Sequence, residues 1–493
     1  MRLPPPSALL AALAVALIAL AWMRPIDHDE SQYVAAAVLS AQGLLPYRDY
    51  AYLQTPLQPL LFAPIAWAAG TWTYPALRIV NALLGWAAVA GVYAGTRVAG
   101  VRPTIAISCA MLFAACDILL FSAGTARNDA LPAAMLAWAL PLILKAERGD
   151  GSRIGALAIG LLLAAATAAK ISYAIPALAY GLYALVRRER HRPLWVIAGT
   201  LPAAALVARL WWLDPPSAYF GTVLFPALAP AQYYEATGRA WKLSTGLKLV
   251  DTLKFLALGP ALLALIAVAW RQPRGLPRLL GWLILAGLVA ALMPTPTWRQ
   301  YLLPLLPPLF IALAERWEVQ PPARALRIAV AVFAGAGLVP SAIALAAGGG
   351  LSTAIAEGHA IRAAMDAARA DGPIATLAPE FVPASGRPVD PRFASGPFVF
   401  RSAGLFDLNG EVLHHVVTRA RIDEHFTELG QPPRAILVGG EGKWTSGEDA
   451  LDRVLEDWAV ARAWRRVPVA SERFRLYVPP QAAARRLPSS SSE

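Results

Sequence analysis

The chain has 493 residues, of which 57% are hydrophobic and only 15% charged, and its mean hydropathy is +0.48. This balance excludes an ordinary soluble protein, in which about a quarter of the residues are charged. The net charge of +12 would suit nucleic acid if gathered into a patch, but the basic residues are dispersed among short loops, so no nucleic-acid partner is expected.

The apolar residues come in successive blocks of roughly 16 to 22, each able to cross a hydrocarbon core of about 30 Å as a helix. In chain order they predict about eleven transmembrane helices, at 7–22, 75–96, 104–121, 129–145, 154–169, 171–186, 194–212, 253–270, 279–293, 300–314 and 328–346. The first exceeds a usual signal-peptide core and has no clear cleavage site after it, so it reads as a retained span. Cys109 and Cys116 share a face of one apolar block but lie too far apart along its axis to bond. Basic residues concentrate in alternate loops: Arg97 and Arg102; Lys145, Arg148 and Arg153; Arg187, Arg188, Arg190 and Arg192; Arg271, Arg274 and Arg278; Arg316, Arg324 and Arg327. The positive-inside rule places these loops and the N-terminus in the cytoplasm, and loops 23–74 and 213–252 outside. Heavy Arg and Ala usage points to a bacterial cytoplasmic (inner) membrane.

After the first span, "RPIDHDESQY" (24–33) gathers Asp27, His28, Asp29 and Glu30 at the outer face. Asp29 to Gln42 reads as a helix with Asp29 as N-cap, Gln32 at N3 and Gly43 as stop. Pro56 to Ala69 is a second apolar helix, and both are expected to lie along the membrane surface as interfacial helices. "GTARNDALPA" (124–133) sets Arg127, Asn128 and Asp129 at the same face, where Asn128 or Asp129 would cap the next helix. Lys170 stands between two spans with hardly a loop around it, so it either snorkels or offers its charge to an anion. Arg299, in "PTPTWRQYLLPLLPP", poses the same choice, and Tyr301 beside it is an interface aromatic or a substrate-lining one.

Residues 1–350 form the membrane domain. After "AAGGG" (346–350), residues 351–480 turn polar and apolar by turns, with strand-like runs "RAILVGG" (434–440) and "RFRLYVPP" (473–480) around a helix at 447–461. They predict a small α/β extracytoplasmic domain, and 481–493 a disordered tail. "VGGEG" (438–442) reads as a turn and not as a phosphate loop.

The caps at Asp29 and Asp129 would serve helix dipoles without further purpose. Taken together, however, Asp29, Glu30 and Asp129 share one outer face with Arg127, Lys170 and Arg299. That is the equipment for moving a group from a phosphate-linked lipid: a carboxylate to take the acceptor's proton, and cations for the departing phosphate.

The segment 29–66, "DESQYVAAAVLSAQGLLPYRDYAYLQTPLQPLLFAPIA", resembles the first outer loop of the GT-C superfamily of integral-membrane glycosyltransferases, in the branch of protein O-mannosyltransferases and lipid A aminoarabinose transferases. "RNDALPA", "KISYAIPAL", "RQYLLPLLPP" and the outer domain follow in the same order. The resemblance implies a hexosyl- or pentosyltransferase that takes a polyprenyl-phosphate-linked sugar as donor and transfers it with inversion to a lipid, glycan or protein acceptor. It gives Asp29 the general-base or acceptor-orienting place, Glu30 the second position of the acidic motif and Asp129 a place lining the cavity. Where relatives often carry a Lys before the proline to contact the donor phosphate, this sequence has Gln54 and Thr55, so phosphate binding falls more to Lys170, Arg127 and Arg299, with Gln54 beside them. Tyr33, Tyr301 and His28 are candidates to line the site. A divalent cation (Mg or Mn) is an open expectation, with Asp29 and Glu30 as ligands and His28 beside them. The alternative class is a transporter or flippase using the same carboxylates, though these sit at span ends and no paired repeat is visible.

Overall fold

The computed structural model describes residues 4–270, 278–402, 404, 410, 413–428, 432–441 and 450–480. The expected tail, Arg271, Arg274 and Gly442 lie outside the described residues.

Helix α1 (Pro6–Met23) starts on a proline and ends at Arg24, which the following Pro25 forces into extended backbone. Two helices of the first loop, α2 (Glu30–Ala41) and α3 (Leu57–Ala69), precede the long α4 (Thr73–Val98). α3 leaves Leu61 and Trp67 exposed. α2 differs from expectation: nine of its 12 residues are buried. Its run Ala35–Ala37 is small enough for α3 to pack on one side and the turn Pro379–Phe381 on another, so protein and not membrane covers it.

The single span expected at 104–121 is two helices, α5 (Pro103–Ala114) and α6 (Asp117–Ala123), bent by 70°. α7 (Ala130–Glu147), α8 (Arg153–Ala169), α9 (Ala174–Val186), the short α10 (Arg188–His191) and α11 (Pro193–Leu213) follow. α8 and α11 touch backbone to backbone, since a Cβ on Gly160 would lie 1.9 Å from the Val196 carbonyl oxygen. The loop 213–252 holds α12 (Pro215–Tyr219) and α13 (Phe225–Ala236). The span expected at 253–270 is broken too: α14 (Thr245–Ala257) and α15 (Ala261–Trp270) meet at 98°, where Gly259 has φ +134° and presses on Cys116. The two breaks are stitched together by the Asp117 amide, which donates to the Leu258 carbonyl at 3.0 Å. α16 (Arg278–Leu292), a 3₁₀ turn Arg299–Leu305, α17 (Leu306–Val319) and α18 (Arg324–Ala347) complete the helical domain.

Ten of the eleven expected spans fall on apolar helix or on a bent pair of helices, and the one expected at 300–314 falls on the 3₁₀ turn and α17. Among the described residues, five stretches can cross a bilayer by length and hydropathy, or seven if each bent pair is one span, with Arg153–Ala169, Ile171–Val186 and Leu279–Leu292 as shorter apolar helices. Four of the five basic loops meet at one end of the bundle: Arg102 pairs with Glu318 at 2.8 Å, Arg148 donates to the Ala99 carbonyl and Arg190 to that of Glu147 at 2.7 Å.

Beyond α19 (Leu351–Ala367) a four-stranded sheet runs in the order β1 (Ile374–Ala375), β2 (Ala435–Val438), β4 (Arg475–Val478), β3 (Arg465–Val467). β1 and β2 are parallel, and the other pairs antiparallel. Val34 and Leu39 of α2 share one apolar core with Leu351, Phe381, Val382 and Leu437, so this region is seated on the first loop.

Candidate active site

Of the carboxylates and cations singled out by sequence, Asp29, Asp129, Arg127 and Lys170 meet where the loop 24–29 passes the loop 124–129. Arg127, 5% exposed, organises the contact. Its Nη1 donates to Asp27 Oδ1 at 3.1 Å and to Asp29 Oδ2, and its Nε to Asp129 Oδ2 at 3.1 Å. Asp129 also accepts from the ammonium of Lys170, which lies 5.3 Å from the centre of the Tyr301 ring. Lys170 is buried, so it does not snorkel.

Asp29 and Asp129 do stand at N-cap positions, but neither makes the expected cap. Charge-assisted bonds to Arg127 and Lys170 outcompete neutral amide donors for the same oxygens. The capping box with Gln32 is likewise replaced: the amide of Asp27 donates to Glu30 Oε2 at 2.9 Å, and the amide of Asp29 to Asp27 Oδ1 at 3.0 Å. Burial would raise the Asp29 carboxyl, but Arg127, His28 and Arg401 outweigh it and bring it down to about 2. For Asp27 burial prevails over Arg127, and its carboxyl is raised. The two carboxylates are each a quarter exposed.

Glu30 is a different kind of group. Its side chain has no exposure, and its two oxygens accept five hydrogen bonds: from Arg78 Nε at 2.8 Å and Nη2 at 2.5 Å, Tyr74 Oη at 2.7 Å, and the amides of Ala126 at 2.5 Å and Asp27 at 2.9 Å. Arg78 in turn caps the end of α1 through the carbonyls of Ala21, Arg24 and Pro25. With every lone pair engaged, Glu30 positions the loop and has none to offer a proton or a metal ion. Arg78 and Tyr74 were hidden in an apolar block; the only sequence sign was a charge within a span, one turn from a tyrosine.

The remaining candidates line the same region. Tyr33 packs edge-on to Tyr52 at 6.5 Å. Gln54 accepts from Asn128 Nδ2 at 3.3 Å. His28 stacks on Phe398 at 5.8 Å and lies 3.1 Å from Asp29. Arg299 stands somewhat apart, paired with Asp117 at 2.8 Å and 3.7 Å from the Phe121 ring centre. For a divalent ion, one ligand atom each from Asp27, His28 and Asp29 fall within 4.8 Å of one another. Asp27 therefore replaces Glu30 in the candidate set, and the mixed carboxylate and imidazole donors fit such an ion, with Arg127 competing for the same oxygens.

The arrangement of broken helices under a buried first loop and an appended sheet has counterparts among solved structures. Among solved structures, it is similar to that of ArnT from Cupriavidus metallidurans in the apo state: TM-score 0.63, 14% identity, 96% of this chain and 99% of that chain covered. The same protein bound to undecaprenyl phosphate aligns with TM-score 0.59 and 16% identity over 97% of this chain and 98% of that chain. No family model and no curated relative matches the sequence. At these identities the likeness establishes the fold; residue roles rest on the geometry above.

Proposed function

We propose that the protein is a glycosyltransferase that moves a sugar from a polyprenyl-phosphate-linked donor to a hydroxyl-bearing lipid, glycan or protein at the outer face of a bacterial cytoplasmic membrane. The observation that carries the reading is the Arg127 cluster, in which one partly exposed carboxylate, Asp29, is held ionised beside buried cations. The binding of undecaprenyl phosphate by ArnT, whose fold the chain shares, supports the donor class. The meeting of four basic loops at one end supports the orientation, with the Asp29 site and the sheet region outside.

In the proposed step the acceptor hydroxyl donates a hydrogen bond to Asp29. As its oxygen bonds to the anomeric carbon, the bond from that carbon to the phosphate oxygen breaks on the opposite face. The proton passes to Asp29, and the phosphate leaves with the electron pair. A carboxyl held near 2 is a weak base, so the transfer follows bond formation and Asp29 first orients the hydroxyl. Asp129 fixes Lys170 and Arg127 along the cavity wall, with Tyr33, Tyr301 and Gln54 lining it. A divalent ion, if bound, would be held by Asp27, His28 and Asp29 and would supply Lewis-acid polarisation of the acceptor oxygen.

Proteoliposomes supplied with undecaprenyl-phosphate-linked hexoses or pentoses and a hydroxyl acceptor test this, with product detected by mass spectrometry. Transfer that Asp29→Asn leaves unchanged would sink the assignment. Substrate-driven proton flux without transfer would favour the transporter reading, to which the two broken helices also lend themselves.

A further inference from the structure

Helix α7 runs from the Asp129 cluster to Glu147, at the far end of the bundle. There a cavity of about 160 Å³ lies between the last turns of α7, the first turns of α8, and α10. Leu142, Ala156 and Ile159 line its inner part. Leu142 is five residues from the end of α7 and Ile159 six from the start of α8, which puts them about 8 Å below the helix ends at a rise of about 1.5 Å per residue. Lys145 and Arg190 line it too, and both are exposed, so they stand at the rim.

The wall behind the rim is fixed by a buried cluster. His191, 1% exposed, meets Glu147 Oε2 through Nε2 at 2.9 Å and Tyr180 Oη through Nδ1 at 3.1 Å, and Tyr183 Oη donates to the same Glu147 oxygen at 3.0 Å. Glu147 is thereby engaged away from the rim, and the two rim cations are left without a carboxylate partner among the described residues. Arg190 uses one donor, Nη1, on the Glu147 carbonyl at 2.7 Å and has the rest of its fork to offer. Asp150, the one carboxylate that lines the cavity, pairs with neither. Arg192 adds positive charge through its bond to the carbonyl of Gly151, another lining residue, at 3.3 Å.

Beside this charge the surface is apolar. Ile154 on α8 and Leu194 and Ile197 on its neighbour α11 are each more than half exposed, and Arg153 lies over the Trp195 ring at 5.4 Å. Tryptophan and basic side chains so placed mark the level of lipid headgroups.

We propose that this cavity binds an anionic phospholipid of the cytoplasmic leaflet, its phosphodiester held between Lys145 and Arg190 and its acyl chains laid along Ile154, Leu194 and Ile197. The volume is below the roughly 300–1,000 Å³ of sites that enclose a whole small molecule, and it suits a headgroup whose remainder stays outside. A soluble anion would gain the cations without the apolar flank; a lipid with no net charge would gain the flank without the surplus of cations. Basic pockets between membrane helices on the cytoplasmic side take such headgroups. The inference goes beyond sugar transfer: it depends on the orientation proposed above and not on the chemistry at Asp29.

The test is lipid binding by the full-length protein in native mass spectrometry, with dioleoyl phosphatidylglycerol, dioleoyl phosphatidylcholine and, as the headgroup alone, soluble glycerophosphoglycerol. The wild type is expected to prefer phosphatidylglycerol and to ignore the soluble headgroup. Lys145→Gln and Arg190→Gln should each weaken phosphatidylglycerol about fivefold and together about 30-fold, with phosphatidylcholine unchanged. Ala156→Leu, which fills the cavity and keeps both charges, should weaken it as the double variant does. Arg324→Gln, at the same end of the bundle but outside the cavity, should have no effect. An equal loss from Arg324→Gln, or full binding by the double variant, would refute the site and leave a diffuse attraction in its place. Binding of the soluble headgroup as tightly as the lipid would refute a lipid occupant. Sugar transfer is read at the other end of the bundle through Asp29→Asn, so failure of this site and failure of the transfer reading are told apart.

Discussion

Asp29 and Glu30 are chain neighbours at the start of one helix, yet they have been put to opposite uses. Glu30 is sealed, with five donors around two oxygens and a buried arginine as counter-ion. Asp29 is a quarter exposed and shares one guanidinium with Asp27 and Asp129. A saturated carboxylate ties three segments together: the end of α1, the loop 124–129 and α4. An unsaturated one beside it can exchange partners, which chemistry requires. The saturated group also sets the position of the unsaturated one, because the Asp27 amide that bonds Glu30 belongs to the same turn whose Asp27 carboxylate accepts from the Asp29 amide.

Substitutions at the two positions separate these roles, and the largest effect is expected on chemistry. Asp29→Asn keeps the shape of the site and removes the proton acceptor, so transfer should fall on the order of 10² to 10⁴-fold while the protein still purifies as a folded monodisperse species. Single-turnover transfer in proteoliposomes measures it. Glu30→Ala should do the reverse first: it leaves Arg78 buried with its charge unpaired, a loss of about 3–5 kcal/mol, read as a lower Tm in detergent. If Glu30→Ala were as stable as the wild type but inactive, the contrast drawn here would collapse. A smaller effect concerns the Asp129–Lys170 pair. The cycle of Asp129→Asn, Lys170→Met and the double variant should give a coupling of about 0.5–3 kcal/mol in stability, and a coupling near zero would show that each residue serves a different partner.

How far the sequence discloses this arrangement depends on whether a signal is local. Blocks of apolar residues mark α1, α4, α7 and α11 almost to the residue, because each must be apolar over a bilayer's thickness. They do not disclose the bends at Ala115 or Gly259, since apolar runs on either side of a break look like one run. Asp117, within the block expected as a span, was the only mark of the first. The caps at Asp29 and Asp129 were legible as positions and misleading as interactions. Asp29 finds its partner 98 residues away at Arg127, and Asp129 binds Lys170, 41 residues on, besides the nearby Arg127; the sequence put these groups on one outer face but could not pair them. The same limit concealed Arg24, which reads as an ordinary flanking basic residue until its burial is known.

The finest distinction is within the cluster, between Asp27 and Asp29, which share Arg127 but shift in opposite directions. The Asp29 carboxyl is depressed to about 2, against an unfolded value of about 3.9. Its contribution to stability is therefore fully present above about pH 4 and is lost as pH falls toward 2. The Asp27 carboxyl is raised by burial, so its contribution has the other sign: it favours the fold below the unfolded value of about 3.9 and is lost as pH rises through the folded value. At pH 7 Asp29→Asn should then lower Tm and Asp27→Asn should raise it. Because both groups are partly exposed, each change should be under about 1 kcal/mol. The Asp27→Asn gap should close as pH drops toward and below about 4, and the Asp29→Asn gap should narrow only as pH approaches 2. Thermal unfolding in detergent across this range checks it: gaps of the same sign would mean that Arg127 treats the two carboxylates alike, and that burial does not separate the one proposed to act from the one that supports it.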